Sequence, residues 1–401
     1  MSGDRVLIAG ASLAGLRTAQ ALRRTGFSGS ITMVGKELHA PYDRPPLSKE
    51  VLTKDVSASQ VILCSTDDLR GQGIDLITGV EITDVDLSDR TVTCSDGNSR
   101  GFTELVAATG ARPHQPFADA PRTGVFTLRT LQDALSLRSA LAKAHNVVII
   151  GAGFIGLEIA SAARSLGAHV TVLEAAPAPL ARSLPTAVAR AVTSLATRSG
   201  VDVRCDAKVI GFTRQVDELR GVCLADGTVL AADVAVVGVG VQPCVGWLEA
   251  AGAPVDRMGL LCDATGRALE HQHLWGVGDA CAWLGADGIA RRHEHWTTIG
   301  DQAKVVAQNL THRSRRQLTS APYAWSDQFG HKIHIIGEAN DADEVRILSR
   351  EPTTLTAMFA RQGHLTGACI VDQAPLALKL RRWIASSTPV CDIPPWQHSA
   401  A

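Results

Sequence analysis

The sequence predicts an α/β fold with two dinucleotide-binding units, each built on a parallel sheet, plus a small C-terminal α+β domain. Three observations carry this. Two glycine fingerprints stand at strand-to-helix junctions: VLIAGASLAG, with Gly10, Ser12 and Gly15, and VVIIGAGFIGLE, with Gly151, Gly153 and Gly156. Each is followed by a second apolar run closed by an acid, Glu37 after ITMVGK and Glu174 after HVTVL. The two blocks also echo each other downstream, with Gly97 and Gly227 in matching Asp-Gly turns and TGARP answering GVGVQP. Together these describe one Rossmann-like scheme used twice.

The elements follow in order. Residues 1–35 read strand, helix, strand, over Arg5–Ala9, Ala14–Thr25 and Ser30–Val34. A Pro-rich loop, APYDRPPLSKEVL, spans 40–52, and Glu104–Thr109 reads as a buried strand. The second block begins with a helix over Asp133–Ala144. It continues with strand Val147–Ile150, helix Gly156–Leu166, strand Val170–Leu173 and a helix over Thr186–Arg198. After Gly240 the chain returns to the first domain, through LWGVGDAC at 274–281 and a helix from Thr297 to Asn309. The remainder has strand character over His334–Ile336, Thr354–Phe359 and His364–Val371, and ends in an irregular tail from STPVCDIPP onward. The predicted domains are 1–110 with 241–315, then 111–240, then 316–401.

Composition narrows the function. At 401 residues, with 45% apolar and 20% charged residues, the chain suits two or three globular domains. A net charge of −1 gives no global support for nucleic-acid binding. Apolar runs are interrupted by charge (Glu158, Asp233) well before the ~20 residues that a membrane span needs. MSGDRVLIAG enters a strand at once and predicts a cytoplasmic protein without a leader. The nine cysteines form no C-x-x-C or C-x4-C pattern, which argues against a disulfide framework, a metal site and a redox-active pair. Basic residues cluster at Arg291–Arg292, at Arg313, Arg315 and Arg316, and at Lys379, Arg381 and Arg382. These read either as solvated faces or as a docking surface for an acidic partner.

The glycines have a chemical reason. A helix N-terminus presents unpaired N–H groups to a pyrophosphate. The first glycine makes the turn, the second admits the phosphate and the third lets helix and strand pack closely. Ser12 replaces the middle glycine in the first fingerprint and narrows that approach. Glu174 is placed to receive an adenosine ribose and to repel a 2′-phosphate, and the following AAPAPL offers no arginine for one, so NADH is expected over NADPH.

VLIAGASLAG, PYDRPPLSK, ATGARP, GAGFIGLE, GVGVQP, WGVGDA, EHW and WSDQFG occur in the order seen in the FAD-dependent ferredoxin reductases of bacterial oxygenase systems, and the chain resembles that family over about residues 4–385. More distantly it resembles apoptosis-inducing factor. The resemblance implies an FAD domain (1–110 with 241–315), an inserted NAD domain and a C-terminal domain. It places the FAD pyrophosphate at Gly10, Ser12, Ala14 and Gly15, and the flavin tail at Asp279. It marks Arg44, Ile82, Arg129 and Trp296 as further FAD-lining positions, although Ile82 also reads as core and Arg129 as a helix cap. The family has an acid one place earlier, where this chain has Lys36, so either Glu37 takes the ribose contact or that contact is lost. Gly151, Gly153, Ile155, Gly156, Glu174, Arg182 and Gly240 fall in the NAD site, and Arg182 weakens the preference for NADH. Trp325 is either stacked near the two cofactors or a packed core residue. Lys49 and Glu158 match an ion pair beside the reactive flavin nitrogen.

The expected activity is that of an FAD-dependent NADH:ferredoxin oxidoreductase. It would pass a hydride from NADH to FAD, then single electrons to an acidic iron–sulfur ferredoxin that feeds a cytochrome P450 or other oxygenase. Two alternatives stay open: a flavin-bound NADH sensor of the apoptosis-inducing-factor kind, and an NADH oxidase, peroxidase or disulfide reductase. The second needs a reactive cysteine near the flavin, and 40–49 has none.

Overall fold

The structure, a computed structural model, describes residues 3–285, 287–294, 296–339, 342–349 and 354–394. The chain forms two compact units. One holds residues 1–43, 58–112 and 241–320, the other 44–57, 113–240 and 321–401.

The first unit is built on a five-stranded sheet in the order Leu274–Gly276, Glu104–Ala107, Arg5–Ala9, Ser30–Gly35, Ile74–Thr78, all parallel. The central strand RVLIA is apolar because both of its faces are covered, the expected state of a parallel sheet. It feeds the helix Leu13–Arg24, whose Leu16, Ala19 and Leu22 are buried. Ile8, Leu16, Leu22, Ile31, Met33, Leu105 and Trp275 are completely or almost completely buried, and each such side chain contributes roughly 1.5–3 kcal/mol.

The second unit repeats this plan. Its parallel sheet runs Asp202–Arg204, His169–Leu173, Asn146–Ile150, Val234–Val237, Val125–Phe126. The central strand again leads into a glycine loop and a helix, Phe154–Ser165. A second, antiparallel sheet in this unit has the order Tyr323–Gln328, His331–Gly337, His364–Val371, Thr356–Arg361, Glu344–Ser349. Each unit also carries a three-stranded antiparallel ribbon. The echoing turns are real, with Gly97 at φ 79° and Gly227 at φ 88° in equivalent places.

Some boundaries differ from the sequence reading. The second-block helix starts at Leu131 because Thr130 and Asp133 form a capping box: the Asp133 N–H donates to Thr130 Oγ1 and the Thr130 N–H to the Asp133 carboxylate. The Pro-rich loop contains a 3-10 turn, Pro45–Ser48, and a one-turn helix, Glu50–Thr53. Proline at the start of a turn needs no N–H, so the two prolines begin this structure rather than prevent it. A C-terminal helix, Ala374–Ala385, was not anticipated. Within the tail, Val390–Asp392 is a further 3-10 turn and Ile393 is buried, so that part is packed rather than irregular; the tail beyond residue 394 lies outside the described residues. Among the described residues no helix is long and apolar enough to cross a membrane.

Candidate functional site

In both units the loop between central strand and helix is set by backbone contact. A Cβ on Gly10 would stand 2.1 Å from the Ala108 carbonyl oxygen, and one on Gly151 would stand 2.4 Å from that of Gly238. A Cβ on Gly15 would meet the Gly10 oxygen at 2.0 Å, and one on Gly156 the Gly151 oxygen at 2.2 Å. The first and third glycines are therefore required by the fold itself. The middle position differs. Gly153 has nothing within 4 Å of the place a Cβ would take, and its φ of −79° suits any residue. Ser12 occupies the equivalent N-cap at φ −102° and its hydroxyl makes no capping bond. Open space at the Gly153 helix N-terminus fits a pyrophosphate there, and in the first loop the Ser12 hydroxyl, free of a capping bond, stands at the same place on a helix N-terminus.

The first unit gathers most of the residues expected to face one nucleotide. Gly278, at φ +81°, packs so closely on the fingerprint helix that a Cβ would lie 3.1 Å from that of Ala14. Gln302 accepts the Gly278 N–H at 2.9 Å and fixes the turn that carries Asp279, which is 8% exposed. Trp296 donates its indole N–H to Asp43 at 2.8 Å, and the Arg17 guanidinium lies 5.9 Å from its ring centre. Thr298 is 2% exposed, and its hydroxyl has no hydrogen-bond partner among the described residues, an orphan of the kind a bound ligand satisfies. Glu37 is half-buried and accepts the Tyr42 hydroxyl at 2.5 Å, whereas Lys36 is exposed and pairs with Glu81 at 2.9 Å. Ile82 belongs to the buried core, 7% exposed. His295, in the motif EHW, lies outside the described residues.

The second unit holds the other set. Glu174 follows the strand His169–Leu173, and its two carboxylate oxygens accept the N–H groups of Ala152 and Ala176, each at 2.9 Å. It is thus tied to the glycine loop itself. Arg182 lies against Gly240, whose φ is +114°: a Cβ there would stand 3.3 Å from the guanidinium. Ile155 is 46% exposed on the first turn of the fingerprint helix. Arg44 and Arg129, expected to line the FAD, also fall in this unit, where Arg44 donates to the Arg129 carbonyl. Trp325 is half-buried, 6.2 Å from Tyr323 between ring centres, with the Lys332 ammonium 6.0 Å from its ring.

Lys49 and Glu158 form an ion pair at 3.0 Å, with side chains 14% and 6% exposed. Lys49 also donates to the Pro45 carbonyl at 3.1 Å. A buried carboxylate is stable only when its lone pairs are used. Here Ser48 donates to one Glu158 oxygen, and Ser326 donates to the other at 2.5 Å. The two serines were missed as site residues although both stand inside quoted motifs, PYDRPPLSK and WSDQFG; nothing in the sequence separates a buried hydroxyl from an exposed one.

Five of the nine thiols, those of Cys64, Cys94, Cys262, Cys281 and Cys369, are buried, and burial raises the thiol of Cys369 to about 12; Cys391 is exposed. Among the described residues, no group of three or more His, Cys, Asp or Glu is placed to hold a metal ion. Two of the candidate docking arginines are already paired, Arg291 with Asp287 and Arg292 with Glu294, both at 2.5 Å.

Comparison with known proteins agrees with this arrangement. Residues 4–303 match the family model of pyridine nucleotide-disulphide oxidoreductases, and residues 323–393 that of the reductase C-terminal domain. The chain is 36% identical over 371 residues to the ferredoxin reductase component of chlorobenzene dioxygenase from Cupriavidus sp. (strain PS12), covering 92% of this chain and 89% of the relative. It superposes on the ferredoxin reductase for the CYP199A2 system from Rhodopseudomonas palustris with a TM-score of 0.94, at 32% identity, covering 99% of this chain and 97% of the other. Putidaredoxin reductase, solved as a covalent complex with putidaredoxin, gives a TM-score of 0.92 at 29% identity, covering 97% and 94%. The chain belongs to the pyridine nucleotide-disulphide oxidoreductase family, and within it to the ferredoxin reductases of oxygenase systems.

Proposed function

We propose that this protein is an NADH-dependent flavoprotein reductase that delivers electrons to a small iron–sulfur ferredoxin serving a cytochrome P450 or other oxygenase. The observation that carries the reading is the pair of ligand-ready glycine loops in one chain, accompanied by the buried Lys49–Glu158 pair. When bound, FAD supplies the chemistry of taking a hydride from NADH and releasing its electrons one at a time.

The chain's own residues bind and orient. We assign residues 1–110 and 241–315 to FAD, 111–240 to NADH, and 316–401 to a C-terminal domain. The helix N-terminus behind Gly10, Ser12, Ala14 and Gly15 neutralises one pyrophosphate, and that behind Gly151, Gly153, Ile155 and Gly156 neutralises the other. Glu37 and Glu174 take the riboses. Asp279 and Trp296 line the flavin site, Arg182 and Gly240 the nicotinamide-nucleotide site, and Arg44 and Arg129 are assigned to the flavin on the family resemblance alone. Ile82, 7% exposed in the core of the first unit, is assigned to the flavin site as well. Lys49 offers a positive charge where negative charge develops on reduction, and Glu158 keeps it in place. The Glu174 carboxylate disfavours a 2′-phosphate, which makes NADH the donor.

The partner is an acidic ferredoxin, and the exposed basic residues that attract it are Arg313, Arg315, Arg316, Lys379 and Arg382, whereas Arg381 is engaged with the Ala321 carbonyl and the Tyr323 ring. The cytoplasm is the proposed compartment, supported by the buried unpaired thiols. Cytochrome c reduction by NADH tests the function: turnover that requires an added ferredoxin is expected. Equal turnover without any ferredoxin would refute the proposed partner.

A further inference from the structure

We propose that Ser326 and Gln328 are positioning residues for the Lys49–Glu158 pair, so that the C-terminal domain takes part in hydride transfer. The proposal rests on the reading of that pair given above. Both residues lie on the strand Tyr323–Gln328, inside the segment matched by the reductase C-terminal model. Ser326 is 1% exposed and Gln328 is 2% exposed.

A serine hydroxyl has one hydrogen to give. The Gln328 side-chain amide donates to Ser326 Oγ at 2.9 Å, and Ser326 donates onward to Glu158 Oε1 at 2.5 Å. Gln328 therefore fixes the direction in which Ser326 donates. Glu158 Oε1 also receives the Lys49 ammonium at 3.0 Å, while Oε2 receives Ser48. Three donors from two separate stretches of chain, Ser48–Lys49 and the strand that carries Ser326, hold one carboxylate in a single orientation. Lys49 Nζ is in turn placed between Glu158 Oε1 and the Pro45 carbonyl. Removing the Ser326 hydroxyl lets the carboxylate turn about its last bond and leaves the buried Gln328 amide without its acceptor. Lys49 follows the carboxylate. A structural role for Ser326 alone would alter stability and leave the electronic environment of the flavin unchanged.

The test uses the flavin-loaded protein and the variants Ser326→Ala, Ser326→Thr, Gln328→Leu and Glu158→Gln. Two quantities are measured: the rate of flavin reduction by NADH in a single turnover, and the flavin midpoint potential. Ser326→Ala is expected to slow reduction about tenfold, the size of one lost charge-assisted hydrogen bond. Its midpoint potential is expected to become more negative, the direction in which the Lys49 ammonium moving away from the flavin shifts it. Ser326→Thr, which keeps the hydroxyl, restores the rate to within about twofold of the parent, and Gln328→Leu falls between the two. Parental rate and potential in both Ser326→Ala and Gln328→Leu, beside a slowed Glu158→Gln, overturn this inference alone. Parental behaviour in Glu158→Gln as well overturns the reading of the pair on which it rests.

Discussion

The two glycine loops use the same backbone and differ in what they place on it. In register, Val34 and Leu173 accept the N–H of the first glycine in their respective loops, each at 2.7 Å, so Gly35 and Glu174 are equivalent positions. At Gly35 a Cβ would stand 2.5 Å from that of Ala11, and no side chain fits. At Glu174 the carboxylate instead reaches the N–H of Ala152, the counterpart of Ala11. The acid of the first loop, Glu37, therefore comes two residues later than that of the second, beyond an exposed Lys36. The position two residues past the third glycine differs as well: Arg17, against the Trp296 ring, in the first unit, and buried Glu158, paired with Lys49, in the second. The lesson is that steric demand preserves the frame at the first and third glycines. The middle position, the acid and the helix residue are left to the ligand and the chemistry.

The largest expected effect tests the frame. Gly10→Ala and Gly151→Ala each force a Cβ into a backbone carbonyl at a positive φ, and each should cost more than about 3 kcal/mol in urea unfolding. Gly153→Ala should stay within about 0.5 kcal/mol of the parent. Equal losses at Gly151 and Gly153 would remove the distinction between frame and ligand positions.

Next comes the chemistry on the second helix. Lys49→Met should slow flavin reduction by NADH about 100-fold while flavin content is retained. Reversing Arg17 to Glu, at the matching place in the first unit, should change that rate less than about threefold. Comparable slowing by both would show that the helix position is generic.

A smaller effect is expected at the middle position. Gly153→Ser should raise the KM for NADH about tenfold, since a side chain then enters the space left for the pyrophosphate. Ser12→Gly should tighten or preserve flavin binding, read from the fluorescence of released flavin on dilution. Weaker flavin retention in Ser12→Gly would assign the serine hydroxyl a positive role in binding.

Much of the frame was legible because it is dictated by local steric rules. Apolar runs on both sides of each glycine loop marked the strands Arg5–Ala9, Ser30–Gly35, Asn146–Ile150 and His169–Leu173 to within a residue or two, whereas the parallel strands Ile74–Thr78, Val125–Phe126 and Asp202–Arg204 were not picked out. The helix Ala374–Ala385 was missed because only Ala377 and Leu380 are fully buried, too narrow a stripe to stand out among Lys379, Arg381 and Arg382. At the site, Lys49 and Glu158 were readable from the motifs that contain them, and their contact was not a matter of spacing. Ser48, Ser326 and Gln328 were invisible as partners because their meaning depends on which strand covers which helix. Thr298 likewise became notable only when its hydroxyl proved buried and unused.

The smallest expected effect concerns the acid. Glu174→Gln keeps size and one acceptor but loses the charge that opposes a 2′-phosphate. It should lower the preference for NADH over NADPH about fivefold, read as the ratio of kcat/KM for the two donors. An unchanged ratio would move the source of selectivity to Arg182.

The central claim is that two nucleotides are held by one chain so that one reduces the other. Anaerobic titration of the purified, flavin-loaded protein with NADH, followed at the flavin absorption band, tests it most directly. Bleaching is expected to be complete at about one equivalent of NADH, with recovery of the band on adding oxidised ferredoxin. A preparation that binds no flavin, or a flavin band unmoved by NADH, would contradict it.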